Sequence, residues 1–514
     1  MGRALSADYV TDVAYTADFY DHLAPARLAY TALINGYSAP RLDRPFTWCE
    51  LGCGKGVTAL ALAALHPGGE FHACDLNSSH VAYAELLRAE AGVRNLRLHA
   101  KSIGAMLRED LPRFDFIVLH GVYSWVPAAV RGEIAEFLRA RLKPGGLVML
   151  SYNAMPGWAH LQPLRRMMRA HADSVPGDSS EKARAAFRYV QGLVREGAAY
   201  FSALPAAAAH LASVAQQDIR YVAHEYMTPH GEPFYFAEVE AAMAAAGLAF
   251  AGSMEAADNY PELMMPAALL ALLPARHTRS TLEAHRDFVQ NSAFRRDLYA
   301  AQPALPQPAE LPLERVEGLE FSLAGLPERL PMRLGTGPLR FDLEREAPRV
   351  RAVHALLEGG PAGARAIARA AGGGEGAFLI QQMVVSGHLA PCAAVRAPAG
   401  WSQLNSALID AALRERQQRV PLAAPRCGSA TYSEPVNAAV IEAAATCREE
   451  DAAAGVVLAR LRRLEHPVNR HDASGAARPA TDDEVRTYAA AAWRSLRDHT
   501  STDGRMMRLL GVFT

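Results

Sequence analysis

Apolar runs alternate with helical patterns between about residue 46 and residue 153. The runs that predict strands are FTWCE, EFHACD, NLRLHA, FDFIVLH and LVMLSYN. The stretches that predict helices lie between them and include VTALALAALH, SSHVAYAELLRAEAG and VRGEIAEFLRARL. This alternation predicts an α/β fold with a doubly wound, Rossmann-like parallel sheet.

The pattern becomes helical and alanine-rich after Pro156 and Gly157, through about residue 225. It then predicts one more helix, FAEVEAAMAAAG, and one more strand, LAFAGSMEA. Residues 157–225 are therefore expected to form a helical insertion beside the last strands, where it can cap a ligand. The segment HRDFVQNSAFRRDLY is typical of an amphipathic helix, with Phe288 and Phe294 facing inwards and its arginines on a solvated face.

A proline-rich segment, Gln302–Leu313, predicts a linker and a domain boundary. Beyond it, residues 335–395 give three helical patterns separated by glycine turns, which is compatible with a winged-helix unit. The third of these helices, EGAFLIQQMVVSG, has no Lys or Arg, so we expect it to pack or to contact protein rather than to read DNA. A second linker is expected at Arg470–Glu484, ending in a capping-box start for a last helix. The C-terminal region is therefore predicted to be mostly helical.

The composition limits the classes of function that need to be considered. The 514 residues are half hydrophobic and 21% charged, as in a globular protein with about two to four domains. The formal net charge of −1 gives no electrostatic reason to expect a nucleic-acid partner. Aspartates near the N-terminus argue against a signal peptide, and no run of about 18 apolar residues predicts a membrane span. Six scattered cysteines suggest a reduced setting, so we expect a cytoplasmic protein.

The clearest chemical motif is ELGCGKG, which follows the first predicted strand and precedes a helix. Gly52, Gly54 and Gly56 leave room for a tight turn and for a ligand close to the backbone. Their G-x-G-x-G spacing differs from that of dinucleotide-binding loops. Glu50 ends the first strand and Asp75 the second, and a carboxylate before the loop suits a cationic ligand. This order of features predicts S-adenosylmethionine (SAM), with Asp75 on the ribose hydroxyls; the alternative is a glycine loop that serves only as a turn.

The sequence resembles the class I SAM-dependent methyltransferases. Within them it is similar to a bacterial subgroup that carries a methyltransferase regulatory domain and includes rickettsial-type protein-lysine methyltransferases. The resemblance covers most of the chain to about residue 400 and rests on these segments: FYDHLAPARL, ELGCGKG, CDLN, DFIVLHGVYSWVP, LKPGGLVMLSYNAMPGW, YVAHEYMTPHGEPFYFAEVEAAMAAAGL and HRDFVQNSAFRRDLY. It implies in-line methyl transfer from SAM to a nucleophile, with a protein lysine as the leading expectation. A small-molecule acceptor and a non-catalytic SAM-binding scaffold remain as alternatives.

The resemblance and the positions at the strand ends together define a cofactor site. We expect SAM to contact Tyr20, Glu50, Gly52, Gly54, Gly56, Asp75, Leu76, Ser102, Ile103, His120 and Gly121. Lys101 and Ser102 stand where many class I methyltransferases have an acidic residue near the adenine amine. Ser102 can still hydrogen-bond the adenine. Tyr15 and Tyr20 precede the first strand, where they either form a lid over SAM or pack an N-terminal helix.

Aromatic and amide side chains follow the fourth and fifth strands, at the edge where ligands bind in doubly wound sheets. We expect Tyr123, Trp125, Tyr152 and Asn153 to form the catalytic wall between SAM and the acceptor. The alternative is that these aromatics pack the sheet against the helical insertion. The pair His224 and Glu225 lacks the spacing of a zinc-binding helix, so we predict no metal site.

These observations divide the chain into six expected regions. They are an N-terminal helical lid segment at 1–45, a SAM-binding domain at 46–156, a helical insertion with the methyltransferase regulatory domain at 157–301, a linker at 302–334, a winged-helix-like domain at 335–400 and a C-terminal helical region at 401–514.

Overall fold

A seven-stranded sheet forms the centre of the protein. The computed structural model describes residues 17–215, 217, 219–303, 312–373, 376–393, 400–471 and 477–512. The strands of the sheet are β1 (Phe46–Leu51), β2 (Gly69–Asp75), β3 (Leu96–Ala100), β4 (Phe114–Leu119), β5 (Leu142–Asn153), β6 (Ala249–Ser253) and β7 (Phe294–Ala300). Their order is β3-β2-β1-β4-β5-β7-β6, and β1 to β5 are parallel. The expected Rossmann-like sheet is confirmed.

The sheet reverses its strand order between β1 and β4, which is where doubly wound proteins bind ligands. Both central strands are buried on both faces, as their continuous apolar sequences predict. The helices that cover the sheet are α1 (Pro25–Ile34), α2 (Val57–Leu65), α3 (Ser78–Glu90), α4 (Ile103–Met106) and α5 (Ala128–Arg141). They leave the carboxyl ends of the strands open to the cavity described below.

A helical insertion follows β5, as the alanine-rich pattern predicted. It consists of α6 (Gln162–Ala172), α7 (Ser179–Arg195), α8 (Ala199–Ala203), α9 (Pro205–Val214) and α10 (Ile219–Val222), and it ends in a π-helical turn, Ala223–Met227. Asp178 and Glu181 form a capping box that fixes the start of α7. The insertion has its own apolar core, in which Trp158 packs edge to face against Trp125 of the sheet domain.

The chain returns to the sheet through α11 (Phe236–Ala245), α12 (Pro261–Met264), α13 (Ala267–Leu270) and α14 (Arg279–Gln290). The prediction that HRDFVQNSAFRRDLY is one helix was wrong. Helix α14 ends at Gln290, and its C-cap residue Asn291 takes a left-handed conformation with φ of 51°. The residues from Phe294 onwards form β7, antiparallel to β5 and β6. Phe288 is 64% exposed rather than buried.

Two of the three arginines of this segment, Arg286 and Arg295, are buried rather than solvated, whereas Arg296 is partly exposed. Arg295 of β7 is 4% exposed and lies 2.8 Å from Glu283, 2.7 Å from Asp287 and 3.0 Å from Asp297. A buried guanidinium is tolerated here because carboxylates surround it and satisfy its donors. Arg295 therefore belongs to a buried ion cluster with these three carboxylates rather than to a solvated face.

The C-terminal half contains short strands and many helices. The strands are β8 (Glu320–Leu323), β9 (Arg333–Leu334), β10 (Phe341–Asp342), β11 (Ala362–Gly363), β12 (Leu389–Cys392), β13 (Val420–Ala424), β14 (Ser429–Ser433), β15 (Asn469–His471) and β16 (Ala477–Pro479). The helices are α15 (Ala347–Glu358), α16 (Ala364–Ala370), α17 (Gly376–Val385), α18 (Trp401–Arg414), α19 (Pro435–Thr446), α20 (Glu450–Arg463), α21 (Asp482–Arg497) and α22 (Thr502–Leu510). The expected helical character of this region is confirmed.

Two features of the C-terminal half bear on the predicted domains. Strands β11, β8 and β12 form one small sheet that packs with α15 to α17, and the identification of this unit as a winged helix stays a prediction. Residues 304–311 and 472–476, which belong to the two predicted linkers, lie outside the described residues. Within the described ranges, every helix is too short or too polar to cross a membrane.

Candidate active site

The glycine loop between β1 and α2 has the conformation that its sequence requires. Gly52, Gly54 and Gly56 all lie in the left-handed region, with φ of 78°, 53° and 68°. A Cβ atom added to Gly52 would lie 2.4 Å from Cγ2 of Val122, so packing also excludes a side chain there. Helix α2 begins immediately after the loop, at Val57, and directs its first amides towards the same crevice.

A cavity of about 660 Å³ opens at the carboxyl ends of β1, β2 and β4. The structure brings all the predicted cofactor-binding residues to its wall: Tyr20, Glu50, Gly52, Gly54, Gly56, Asp75, Leu76, Ser102, Ile103, His120 and Gly121. In the sequence these residues lie on five separate segments. Their individual contacts with the cofactor stay predictions.

The two acidic residues at the strand ends differ in their surroundings. Asp75 accepts hydrogen bonds from the N–H groups of Gly54 and Asn77, both at 2.8 Å, so its orientation is fixed. Glu50 is 3% exposed, and its Oε2 has no hydrogen-bond partner among the residues that the structure describes. Burial, together with the nearby charge of Asp75, raises the pKa of Glu50 well above its ordinary value. A buried carboxyl group with a free acceptor atom fits the ammonium group of SAM. The glycine loop leaves room for SAM to contact the protein backbone.

The segment before α1 lies against the end of β4. The centroids of the Tyr20 and His120 rings are 4.1 Å apart. The backbone N–H of Tyr20 donates to Oγ1 of Thr58 at 3.0 Å. Nε2 of His22 lies 3.0 Å from Nδ1 of His120. Burial lowers the pKa of both imidazoles, so we expect the pair to be neutral at neutral pH. Tyr20 thus lines the cavity, whereas Tyr15 lies outside the described residues.

The cavity extends under the helical insertion into what we call the insertion lobe. This lobe is lined by Trp125, Asn153, Trp158, His160, His210, His224, Glu225 and Tyr226. The rings of Trp125 and Trp158 meet at 6.1 Å, and the Arg165 guanidinium covers the Trp125 ring at 5.3 Å. Nδ2 of Asn153 is buried and makes no hydrogen bond within the described ranges. Two of the four residues predicted for the catalytic wall, Trp125 and Asn153, therefore reach the cavity.

The other two residues predicted for that wall, Tyr123 and Tyr152, do not line the cavity. Tyr123 is buried against Phe234, with ring centroids 5.4 Å apart. The Tyr152 hydroxyl donates to Oδ2 of Asp297 at 2.7 Å, next to the buried arginine of β7. Successive side chains on a strand point to opposite faces, so Asn153 reaches the cavity and its neighbour Tyr152 does not. For these two tyrosines the structure supports the packing alternative.

Hydrogen bonds fix the loop after β4 onto β5. The N–H of Gly121 donates to Oγ of Ser151 at 2.8 Å, and the N–H of Asn153 donates to Oγ of Ser124 at 2.9 Å. These bonds hold the turn Tyr123–Trp125 in a 3₁₀ conformation against the neighbouring strand. Ser124 therefore connects the turn that carries Trp125 to the end of β5.

Glu225 is one of the cavity residues that the sequence interpretation missed. It lies in the π-helical turn, and burial raises its pKa to about 8 although Arg165 acts to lower it. Beside it, the Tyr226 hydroxyl and Nε2 of His210 share a short hydrogen bond. The signal is the HEYM segment, which carries part of the family resemblance and whose pair His224 and Glu225 lacks the spacing of a zinc-binding helix. Among the described residues, no group of three or more His, Cys, Asp or Glu side chains is arranged to hold a metal ion.

Two protein families match the chain in the regions that form this site. A family described as a methyltransferase domain matches residues 49–148, which contain the glycine loop and strands β2 to β4. A family described as a predicted methyltransferase regulatory domain matches residues 218–301, which contain the π-helical turn and strands β6 and β7. The second match includes both Glu225 and the buried ion cluster.

Similar proteins come from cyanobacteria and rickettsiae. The uncharacterized protein sll1526 of Synechocystis is 34% identical over 315 residues, which are 61% of this chain and 62% of that protein's length. The uncharacterized protein RP028 of Rickettsia prowazekii is 30% identical over 227 residues, which are 44% of this chain and 89% of that protein. The structure of PKMT2 from Rickettsia typhi in complex with AdoHcy superimposes with a TM-score of 0.70 at 20% identity, covering 94% of this chain and 98% of that one. The chain belongs to the class I SAM-dependent methyltransferases that carry a methyltransferase regulatory domain.

Proposed function

We propose that this protein transfers a methyl group from SAM to the side-chain amine of a lysine in a protein. The observation that carries the proposal is the continuity of one cavity. Its first part holds the glycine loop, Glu50 and Asp75, and it continues into the insertion lobe without a break in the lining. The insertion lobe combines the faces of Trp125 and Trp158 with the carboxyl group of Glu225.

The chemistry of the insertion lobe suits a long, apolar side chain with a basic end. Aromatic faces attract a desolvated cation by about 2 kcal/mol, and they also pack against methylene groups. A lysine has both properties. The Asn153 amide, whose Nδ2 has no partner in the described part of the chain, remains available to orient a polar group near the boundary between the two parts of the cavity.

Methyl transfer requires the amine in its neutral form. When bound, SAM supplies an electrophilic methyl group on a sulfonium sulfur and a neutral thioether leaving group. No acid is therefore needed, and the protein's task is to align the amine and to remove a proton from its ammonium form. Glu225 is the carboxyl group of the insertion lobe, and its raised pKa makes it a good proton acceptor once it is ionised.

Resemblance supports the same assignment. The segments HGVYSWV, SYNAMPGW and HEYM, which the sequence shares with rickettsial-type protein-lysine methyltransferases, supply Trp125, Asn153, Trp158 and Glu225 to the insertion lobe. The fold match to PKMT2 over nearly the whole of both chains agrees with this interpretation.

The test is to incubate the full chain with methyl-labelled SAM and fractions of a bacterial lysate. We expect label in protein bands and methylated lysine after hydrolysis, and we expect Glu225→Gln to abolish most of the labelling while AdoHcy binding persists. Label confined to small molecules would instead indicate a metabolite acceptor. Binding of AdoHcy with no methyl transfer in any fraction would support the scaffold alternative. Either result would contradict the proposal.

A further inference from the structure

One C-terminal unit contacts two of the segments that contribute residues to the SAM cavity. The unit consists of α18, its C-cap residue Glu415 and the hairpin of β13 and β14, together residues 401–433, and we call it the clamp. It packs against α2 and α3 in the same apolar core as the sheet domain. The clamp belongs to the C-terminal region, for which the sequence suggested no role.

The first contact holds the glycine loop. Lys55, which lies between Gly54 and Gly56, is only 6% exposed. Its Nζ lies 2.7 Å from Oε2 of Glu415 and 4.4 Å from the centre of the Tyr83 ring. The side chain of Lys55 thus anchors the loop to the clamp, and Gln417 donates to the same Glu415 oxygen at 3.0 Å.

The second contact holds the segment over the cavity. The hydroxyl of Tyr432 on β14 accepts the N–H of Phe19 at 2.9 Å and lies 2.8 Å from the Phe19 carbonyl oxygen, to which it can donate. Arg419 donates to the carboxylate of Asp18 at 2.8 Å. These bonds fix the residues directly before Tyr20, which lines the cavity.

We propose that the clamp completes the SAM site from outside, with Glu415 and Tyr432 as positioning residues for the glycine loop and for Tyr20. Neither of these two side chains lines the cavity, so each acts through a neighbour that does. A loop with three left-handed glycines has many alternative conformations, and the free energy needed to order it is lost from ligand binding. Anchoring the loop and the Tyr20 segment before binding reduces that cost.

The test uses single-atom changes in the full chain. Glu415→Gln removes the charge that pairs with Lys55, and Tyr432→Phe removes the hydroxyl that holds Phe19. Calorimetry with AdoHcy is expected to show binding about tenfold weaker for each variant. Hydrogen exchange in the ligand-free protein is expected to become faster in residues 50–58 for the first variant and in residues 17–24 for the second.

Matched controls come from the same region. Glu442→Gln removes a charge that pairs with Arg460, and Tyr488→Phe removes a hydroxyl that donates to Asn437, both away from the cavity. We expect these two variants to bind AdoHcy as the wild type does, because neither side chain lines the cavity.

Three results would overturn the proposal. One is wild-type affinity for AdoHcy in both clamp variants. Another is equal weakening in the controls, because this would show general destabilisation. The third concerns Lys55→Met combined with Glu415→Gln: if the two effects on affinity simply add, the ion pair does not transmit the effect.

Discussion

Replacing Gly52 with alanine tests both physical demands on the glycine loop, backbone conformation and close packing. Alanine in the left-handed region costs about 1–2 kcal/mol, and Gly52 has φ of 78°. The added Cβ would also lie 2.4 Å from Cγ2 of Val122, and overpacking of this kind costs about 1–3 kcal/mol. Together these terms raise the free energy of the binding-competent loop by about 2–5 kcal/mol.

The expected consequence is weaker binding of AdoHcy by at least about thirtyfold, measured by calorimetry at 25 °C. Adding Val122→Ala to Gly52→Ala removes the close contact and leaves only the backbone strain. The double variant should therefore bind about 5-fold to 150-fold more tightly than Gly52→Ala alone, which corresponds to the packing term. The single variant Val122→Ala provides the reference, because Val122 itself lines the cavity.

The reasoning would be refuted by Gly52→Ala binding AdoHcy within about threefold of the wild type. It would also fail if removal of the Val122 methyl groups brought no recovery. In the first case the loop would not need its left-handed turn, and in the second the contact with Val122 would not be the source of the strain.

Three further predictions follow from the site and from the buried ion cluster. Asp75→Ala leaves the Gly54 N–H without its acceptor and removes the expected ribose contact, so AdoHcy should bind about thirtyfold more weakly by calorimetry. Unchanged affinity would contradict the placement of the ribose at Asp75. Burial raises the pKa of Glu225 to about 8, so its carboxylate forms as the pH rises through that value. The methylation rate of the wild type should therefore level off above about pH 8, whereas the rate of Glu225→Gln should keep rising. Arg295→Met should leave buried carboxylates facing one another and destabilise the fold by about 3–5 kcal/mol, seen as a lower melting temperature, whereas Arg296→Met on the same strand should have little effect.

The sequence predicted which loop and which strand ends meet at the cavity, because their placement depends on local rules. Left-handed turns need glycine, strand ends in parallel sheets meet at one edge, and a carboxylate there selects a cationic ligand. Glu50, Gly52 and Asp75 could therefore be placed from the order of strands and helices alone.

The insertion side of the cavity could not be predicted in the same way. The register of a strand decides which of its side chains face the cavity. The sequence alone therefore could not show that Asn153 faces the cavity and Tyr152 does not. Glu225 reaches the cavity only because a distant helical insertion folds back over the sheet. The sequence predicts a solvated Arg295 because nothing in the neighbouring residues indicates that Glu283, twelve positions earlier, is buried beside it.

The position of the insertion between β5 and β6 has a consequence for evolution. The glycine loop and the carboxylates of Glu50 and Asp75 all precede residue 122 in the chain. The residues that line the insertion lobe, apart from Trp125, come from residues 153–226. The two halves of the cavity are therefore encoded by consecutive stretches of the gene and can accumulate substitutions independently. Divergence within residues 153–226 can change the acceptor that we propose while the cofactor half is inherited intact, so paralogues of this chain are expected to differ in what they methylate far more than in how they bind SAM.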